Sequence, residues 1–336
     1  MMRLPWFDYR APRTVAEAAK ILAGEGPSAM LIAGGTDLLP NMKRRHQTPK
    51  VLVSLSGIAS LKSFSNGSGV AYGSGLTLAE VVRNDKTPTA LRQAAAQVAT
   101  AQLRNAGTLG GNLCLDTRCT YYNQTYEWRK AIDFCLKKDG DICWVATASK
   151  RCVAVSSTDT APALIALNAK VTLAGASGER VIPVESLYKN DGTDYLSRRA
   201  DEIVTEISVP QDNVRSTYWK LRRRGAFDFP VLGVAVAATM KADGTVKEMR
   251  VALGAAASRP FLVPKVNEAA KGRKLTDAVI AELAALIASR AKPLDNTDMD
   301  LYWRKEVADD FAAYALQEIR GDDMRETRLR IARHLV

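Results

Sequence analysis

All five cysteines of this 336-residue chain fall within one short stretch, which limits the structures that the stretch can form. The stretch begins after the glycine-rich segment 107–112 and ends before the polar segment 156–160. Its last four cysteines are separated by fifteen, seven and eight residues: Cys119, Cys135, Cys143 and Cys152. Clustering of this kind indicates disulfide bonds, a zinc ion or an iron–sulfur cluster. Cys114, which directly follows the glycine-rich segment, is predicted to be a small core residue.

The three explanations have different requirements. Disulfide bonds need an oxidising compartment, yet residues 1–8 contain no apolar run of signal-peptide length, which predicts a cytoplasmic protein. Structural zinc usually takes two cysteines two to four residues apart, and no pair here is that close. A [4Fe–4S] cluster needs four thiolates and low solvent access. The loop offers shielding aromatic side chains at Tyr121, Tyr122, Trp128, Phe134 and Trp144. The spacing favours a cluster and leaves zinc and unmetallated buried cysteines open.

Composition excludes several classes of protein. Charged residues make up 25% and hydrophobic residues 47% of the chain, which is typical of a globular protein, and no apolar run has the length of a membrane span. The net charge of +11 suggests that the protein binds nucleic acid, but the basic residues are scattered and no nucleic-acid-binding signature accompanies them. We therefore expect a solvated face or a docking surface for an acidic partner. The only histidines, His46 and His334, disfavour a histidine-based metal site.

The first 56 residues predict a β-α-β-like unit. Thr14 and Glu17 form a capping box that opens a helix, and segments 29–32 and 51–53 read as buried strands. Between the strands, Gly34 and Gly35 precede Thr-Asp-Leu-Leu, which is a strand–turn–helix pattern. Exposed amides at such a turn bind anionic oxygens, and the glycines let a pyrophosphate approach the backbone. The pattern is not the Gly-x-Gly-x-x-Gly of a Rossmann site.

Residues 57–213 predict a second unit that contains the cysteines in an inserted loop at about 115–155. A hairpin at 66–67 and a second capping box at Thr77 precede an alanine-rich helix over 89–100. A second glycine turn follows at 103–108, so that two turns of similar chemistry could hold the two ends of a dinucleotide. Asp159 precedes a short helix over 161–167, where its carboxylate either accepts hydrogen bonds from sugar-like hydroxyls or caps the helix.

Composition shifts at residues 211–213, which predicts a boundary before a third unit at 214–336. The strands expected before the boundary are 170–174, 180–182 and 203–209. Three alternating strands follow it, over 217–222, 233–241 and 246–254, and then helices over 277–291, 300–316 and a basic helix to 335. Three antiparallel strands with helices on one face make a small α+β domain.

These motifs together resemble a known family. The segments Ala-Gly-Gly-Thr-Asp-Leu at 33–38, Thr-Leu-Gly-Gly-Asn at 108–112 and Asp159-x-x-Pro-Ala-Leu, with Lys220 and Phe227-Asp228, are similar to the FAD-binding medium subunits of molybdenum hydroxylases. The resemblance covers essentially the whole chain. It implies an α+β fold: a two-subdomain FAD-binding domain of the PCMH or CO dehydrogenase flavoprotein type, plus a C-terminal three-stranded antiparallel sheet with helices.

The resemblance also assigns cofactor residues. It places the pyrophosphate loop on Ile32, Ala33, Gly34, Gly35, Thr36, Asp37 and Leu38. It places the second FAD turn on Thr108, Leu109, Gly110, Gly111 and Asn112, with Val98 as an apolar FAD contact. Asp159 matches the acidic flavin-site residue, and Lys220 matches the lysine near the isoalloxazine. Because the insertion separates Asp159 from the second turn, a loop residue such as Tyr121 is the alternative for the contact of Asp159.

The inserted loop resembles a subgroup of that family, the β subunits of 4-hydroxybenzoyl-CoA reductases. This implies a [4Fe–4S] cluster on Cys119, Cys135, Cys143 and Cys152. It further implies a large molybdenum-cofactor subunit, a small subunit with two [2Fe–2S] centres, a dimer of such heterotrimers and a reduced ferredoxin as donor in anaerobic aromatic degradation. Neither nucleic acid nor membrane is expected as a partner. Two other interpretations stay open: a molybdenum aldehyde or aromatic CoA-ester dehydrogenase with outward electron flow, and a zinc-stabilised binding module.

Overall fold

The computed structural model describes residues 3–67, 69–210 and 214–333, which form three β-sheets. The first unit contains β1 (Asp8–Arg10), α1 (Val15–Glu25), β2 (Ala29–Ile32), α2 (Leu38–Lys43) and β3 (Val51–Ser54). Its sheet is parallel, in the order β1-β3-β2. Thr14 caps α1 by accepting a hydrogen bond from the Glu17 amide at 3.1 Å. The prediction that β2 is buried is wrong: β2 is half-buried because it is an edge strand, whereas β3 in the centre is fully buried.

The second unit is built on a five-stranded antiparallel sheet in the order β4-β5-β8-β6-β7. Its elements are β4 (Phe64–Asn66), β5 (Gly69–Gly73), α3 (Leu78–Arg83), α4 (Thr89–Ala96), α5 (Ala101–Arg104), α6 (Leu109–Leu113), α7 (Tyr126–Ala131), α8 (Thr160–Ala166), β6 (Lys170–Gly175), β7 (Gly178–Pro183) and β8 (Ile203–Pro210). The capping box at Thr77 is confirmed, since the side chains of Thr77 and Glu80 each accept from the other's backbone amide.

The single helix predicted over 89–100 is wrong. Helix α4 ends at Ala96, and α5 begins only at Ala101. Between them Ala99 has a φ of 45°, which a right-handed helix does not allow. The carbonyl groups of residues 97–99 accept hydrogen bonds from groups outside the two helices and from Arg104, which compensates for the interrupted helix.

The third unit is an antiparallel sheet in the order β12-β11-β10-β9 with helices on one face. Its elements are β9 (Arg215–Leu221), β10 (Leu232–Met240), β11 (Val246–Gly254), β12 (Phe261–Leu262), α9 (Val266–Ala270), α10 (Asp277–Ala288), α11 (Leu301–Arg320) and α12 (Arg325–Ala332). The sheet has four strands where three were predicted, because two-residue β12 pairs with Ala252 and Leu253. The boundary predicted at 211–213, the end predicted for the last helix and His334 lie outside the described residues.

Two large apolar cores flank the four-stranded sheet. One lies between the two antiparallel sheets and contains α4 and α8 together with residues such as Tyr218 and Ala235. The other lies on the opposite face, where α11 covers β9 and β10, α9 covers β11, and α10 packs on α11. Helix α8 therefore begins at the interface of the second and third units, which places Asp159 between them. Among the described helices, none combines the length and the apolar composition that crossing a membrane requires.

Candidate functional site

The two glycine turns lie against each other. A Cβ on Gly34 would stand 2.0 Å from the carbonyl oxygen of Ala106, so that only glycine permits this approach. A Cβ on Gly107 would lie 3.4 Å from Thr36 Oγ1. We refer to residues 33–37 as the first glycine turn and to residues 106–112, which overlap the turn predicted at 103–108, as the second glycine turn. The two turns thus form one continuous surface, as expected of two turns that share a ligand.

The first glycine turn offers open hydrogen-bond donors. Within the described residues, no protein acceptor takes the backbone N–H of Gly34, Gly35 or Thr36. Gly35 has a φ of 68°, a left-handed conformation that glycine adopts without strain. Residues 32–38 are all half-buried. Consecutive free amides at a turn before a helix suit the oxygens of a diphosphate.

The second glycine turn differs, because its polar groups are used within the protein. The Gly110 amide donates to Ser74 O at 2.9 Å, and the Gly111 amide donates to Thr108 Oγ1 at 3.1 Å. The buried Asn112 Oδ1 accepts from Thr160 N at 3.1 Å and Thr158 Oγ1 at 2.8 Å. Leu109 is fully buried in the core between the sheets. This turn braces the first turn and fixes the start of α8.

The break between α4 and α5 is surrounded by cationic side chains. Lys220 Nζ and Arg222 Nη1 donate to the Gln97 carbonyl at 3.0 and 3.1 Å. Arg104 Nη1 donates to the Val98 carbonyl at 2.8 Å, and the Phe227 amide donates to Ala99 O at 3.0 Å. The Val98 side chain is half-buried and packs against the core between the sheets.

Asp159 and Lys220 form a buried ion pair between the second and third units. Their Oδ2 and Nζ atoms lie 3.0 Å apart, and Tyr218 donates its hydroxyl to Asp159 Oδ1 at 2.9 Å. Burial raises the pKa of Asp159 and lowers that of Lys220, while each charge stabilises the other. Asp159 is the N-cap residue of α8, as the alternative predicted, but its carboxylate makes no capping hydrogen bond: the Ala161 amide donates to Thr158 Oγ1 instead, at 3.3 Å.

The four predicted ligand cysteines line one cavity. Cys119, Cys135, Cys143 and Cys152 are all buried, with 5 to 8% of each residue exposed, and none is in a disulfide bond. Burial, with smaller contributions from Cys152 and Cys135, raises the pKa of the Cys119 thiol to about 11. Cys114 instead packs against the core between the sheets, in agreement with its predicted role. The structure thus brings together four thiols that are spread over the cysteine loop (residues 115–155).

The chemistry of this donor set fits an iron–sulfur cluster. Four thiolates, shielded from water, are what a [4Fe–4S] cluster takes from a protein. A Cβ on Gly192 would lie 2.7 Å from Cys152 Sγ, so that glycine leaves room for this sulfur. Within the described residues, no three Cys, His, Asp or Glu side chains converge closely enough to hold a single metal ion. Each thiolate of a cubane binds a different iron atom, so the four sulfurs need not converge on one point.

Aromatic shielding was predicted correctly only in part. Among the described residues, the cavity lining includes Tyr121, Tyr122 and Trp144, but not Trp128 or Phe134. Trp128 is 39% exposed. Tyr121 lines this cavity, so it faces the cysteines, whereas Asp159 faces Lys220.

Sequence reasoning missed two buried charges that hold the cysteine loop. Lys137 Nζ donates to Asp116 Oδ1 at 2.8 Å, Thr117 Oγ1 at 2.8 Å and Gly192 O at 2.6 Å, which uses all three of its donors. Tyr122 donates its hydroxyl to the other oxygen of Asp116 at 3.1 Å. The sequence near Lys137 gives no signal of its burial, because its three acceptors lie at least 20 residues away in the chain.

The second missed charge is Arg118, which joins the two sites. Its guanidinium donates to Asp37 in the first glycine turn and stacks on Phe229, 4.4 Å from the ring centroid. Its backbone exchanges two hydrogen bonds with Val155, which closes the base of the cysteine loop. The residue that precedes Cys119 therefore also pairs with a carboxylate of the first glycine turn.

The fold and the open amides define a nucleotide-cofactor-binding domain joined to a smaller α+β domain, and comparison with known proteins identifies its family. Residues 5–212 match the family model "FAD binding domain in molybdopterin dehydrogenase". Residues 216–319 match the "CO dehydrogenase flavoprotein C-terminal domain". The chain belongs to the FAD-binding medium subunits of the xanthine dehydrogenase and CO dehydrogenase family.

Named relatives agree with this assignment. The aldehyde oxidoreductase FAD-binding subunit PaoB of Escherichia coli K12 is 32% identical over 307 residues, which cover 87% of this chain and 92% of the relative. The glyceraldehyde dehydrogenase medium chain of Sulfolobus acidocaldarius is 26% identical, covering 94% and 99%. Among solved structures, carbon monoxide dehydrogenase from Hydrogenophaga pseudoflava superposes with a TM-score of 0.75 at 24% identity, covering 94% and 97%, which shows the shared fold.

Proposed function

We propose that this chain is the FAD and [4Fe–4S] electron-transfer subunit of a molybdenum-containing 4-hydroxybenzoyl-CoA reductase. The observation that carries the proposal is the set of four buried thiols around one cavity, in a loop inserted into an FAD-binding medium subunit. A flavin exchanges single electrons and electron pairs, and an iron–sulfur cluster exchanges single electrons at a potential that the protein sets.

The chain's own residues supply binding and orientation. The free amides of the first glycine turn would hold the FAD diphosphate, and the second glycine turn keeps them in place. Asp159 and Lys220 would orient polar groups of the flavin half, because both side chains are buried and their ion pair fixes their positions. Cys119, Cys135, Cys143 and Cys152 would hold the cluster, and Lys137 keeps the loop closed around it.

The proposed partners follow from the family. The relatives carry the names "medium chain" and "FAD-binding subunit", which imply larger assemblies. We propose a large molybdenum-cofactor subunit, a small subunit with [2Fe–2S] centres, a dimer of these heterotrimers and a reduced ferredoxin as electron donor. Two electrons and two protons then remove the phenolic hydroxyl of 4-hydroxybenzoyl-CoA as water and leave benzoyl-CoA. That chemistry takes place in the large subunit, in the cytoplasm of an anaerobic organism.

A second candidate is a molybdenum aldehyde or aromatic CoA-ester dehydrogenase with outward electron flow. It is favoured by the relatives, two of which are named as acting on aldehydes. The cysteine loop argues for the reductase, because an oxidised acceptor can be served by FAD without an additional one-electron centre.

Direction of electron flow separates the two candidates. The purified complex should be assayed without oxygen, once with reduced ferredoxin and 4-hydroxybenzoyl-CoA, and once with aldehydes and an oxidised dye. The proposal predicts benzoyl-CoA and water in the first assay. Turnover in the second assay alone would establish the dehydrogenase instead.

A further inference from the structure

A second cavity, of about 390 Å³, lies beside the cysteine loop and is strongly basic. Four of its positively charged lining residues are at least partly exposed: Arg151, Arg259, Arg290 and Lys292. In the part of the chain that the structure describes, no Asp or Glu lines this cavity, and none of the four pairs with a carboxylate. We refer to it as the basic cavity.

The basic cavity and the cysteine cavity share one wall. Cys152 and Ala154 line the cysteine cavity, whereas Arg151, Val153 and Val155 line the basic cavity. This alternation is the period of two that an extended segment imposes on its side chains. A single backbone segment therefore separates the two cavities.

Hydrogen bonds hold that wall to the third unit. Asn296 Nδ2 donates to Val153 O at 2.6 Å, and the Thr120 amide donates to Asn296 O at 3.0 Å. Arg304 is buried behind it and donates to the carbonyls of Leu294 and Ala255 at 3.0 and 3.2 Å. The basic cavity is thus fixed relative to the segments that carry Cys119 and Cys152.

We propose that the basic cavity is the docking surface for an acidic one-electron carrier protein that delivers electrons to the cysteine site. This inference rests on the proposed function, since it needs a redox centre at the four cysteines. Cysteine ligands one backbone segment away give a carrier bound here a short route to that centre. The site differs from the basic run at 43–45, where Arg44 and Arg45 are half-buried and their carbonyls accept from Arg129.

The exposure of the charges favours a protein over a small anion. Arg151, Arg290 and Lys292 are exposed, and Leu294, which lines the same cavity, is 41% exposed. Exposed charges around an apolar centre are typical of protein interfaces, where they steer association. A small polyanion would need donors that converge inside the cavity, whereas Arg304, the buried cation there, uses its guanidinium on backbone carbonyls.

The test compares two charge-reversed forms of the whole complex. One carries R290E and K292E. The control carries K247E and K271E, exposed positions in the same domain. Lys247 is far from the cavity, because Gly254, which precedes the cavity-lining Ala255, lies seven positions further along extended β11, roughly 23 Å away. Reduction of the cluster by a reduced ferredoxin of net negative charge, and by dithionite, is followed in stopped flow.

The proposal predicts that R290E/K292E lowers the second-order rate with ferredoxin roughly tenfold or more at low salt, and that this difference shrinks as salt rises. The control and the dithionite rates should stay near wild type. Equal losses in both variants, or a wild-type ferredoxin rate in R290E/K292E, would overturn the docking surface. Calorimetry with inorganic pyrophosphate tests the alternative of a small-anion site. Micromolar binding that is lost only in R290E/K292E, in a variant that keeps its ferredoxin rate, would also overturn the docking surface. A wild-type complex without a cluster signal would instead refute the proposed function.

Discussion

The glycine turns and the cysteine loop are both irregular backbone, but they are held in different ways. The turns are fixed by backbone contacts, such as Gly34 against the Ala106 carbonyl and Gly110 against Ser74. The cysteine loop has one short helix, α7, and is held by buried side chains such as Lys137 and Arg118. The turns therefore owe their shape to close backbone contacts, whereas the shape of the loop depends on buried charged side chains.

Breaking a backbone contact should have the largest effect. G34A places a methyl group 2.0 Å from Ala106 O, so we expect it to cost roughly 3 kcal/mol in the free energy of unfolding and to abolish FAD binding. Urea unfolding and flavin absorbance measure both. The matched control is G24A in α1, where a Cβ meets nothing within 4 Å. A G34A protein that keeps its flavin would show that the turns are not in contact.

Removing the central charge of the cysteine loop should be the next largest change. K137M leaves Asp116 buried without its cation, which costs about 3 kcal/mol. We expect loss of iron with retention of FAD, measured as the iron-to-flavin ratio. K138M is the control, since Lys138 is 36% exposed and its surface pair with Asp139 contributes little. Full iron content in K137M would mean that the loop does not need this charge.

Only some features of the site can be predicted from the sequence. The clustering of the cysteines and the paired glycines are local patterns, so their convergence could be predicted. The break at 97–100 could not, because an alanine-rich run favours helix and the carbonyl partners Lys220 and Arg222 lie far away in the sequence. Burial of Lys137 and Arg118 likewise depends on tertiary contacts that leave no local pattern.

The link between the regions predicts an intermediate effect. R118M removes the cation that neutralises Asp37 beside the proposed diphosphate position, so we expect FAD to bind about tenfold more weakly, or about 1.4 kcal/mol. Titration of the apoprotein with FAD gives the dissociation constant. R223M, which loses only an exposed pair with Asp298, should bind FAD normally. An unchanged FAD affinity in R118M would show that the ion pair between Arg118 and Asp37 does not support FAD binding.

The last effect concerns the sheet that supports the turns, and it depends on pH. Arg180 and the Arg199 amide hold the pKa of buried Glu202 at about 2, below its usual 4.5. Because the folded pKa is depressed, Glu202 contributes stability above pH 4.5 that is lost as the pH falls toward 2. E202Q should therefore cost about 3 kcal/mol at pH 7 and progressively less below pH 4.5, measured by urea unfolding. A difference from wild type that does not vary with pH would contradict this.

The most direct test of the account is EPR spectroscopy with iron and flavin quantification on the dithionite-reduced, anaerobically prepared complex, in wild-type, C135S and C114S forms. Because the proposed partner subunits would carry their own centres, the signal and iron of interest are those that C135S removes. The account predicts a cubane-type signal and about four irons per flavin that are lost in C135S but kept in C114S, with FAD retained in all three. Stoichiometric zinc in place of these irons, or a C135S protein that loses FAD and cluster together, would contradict it.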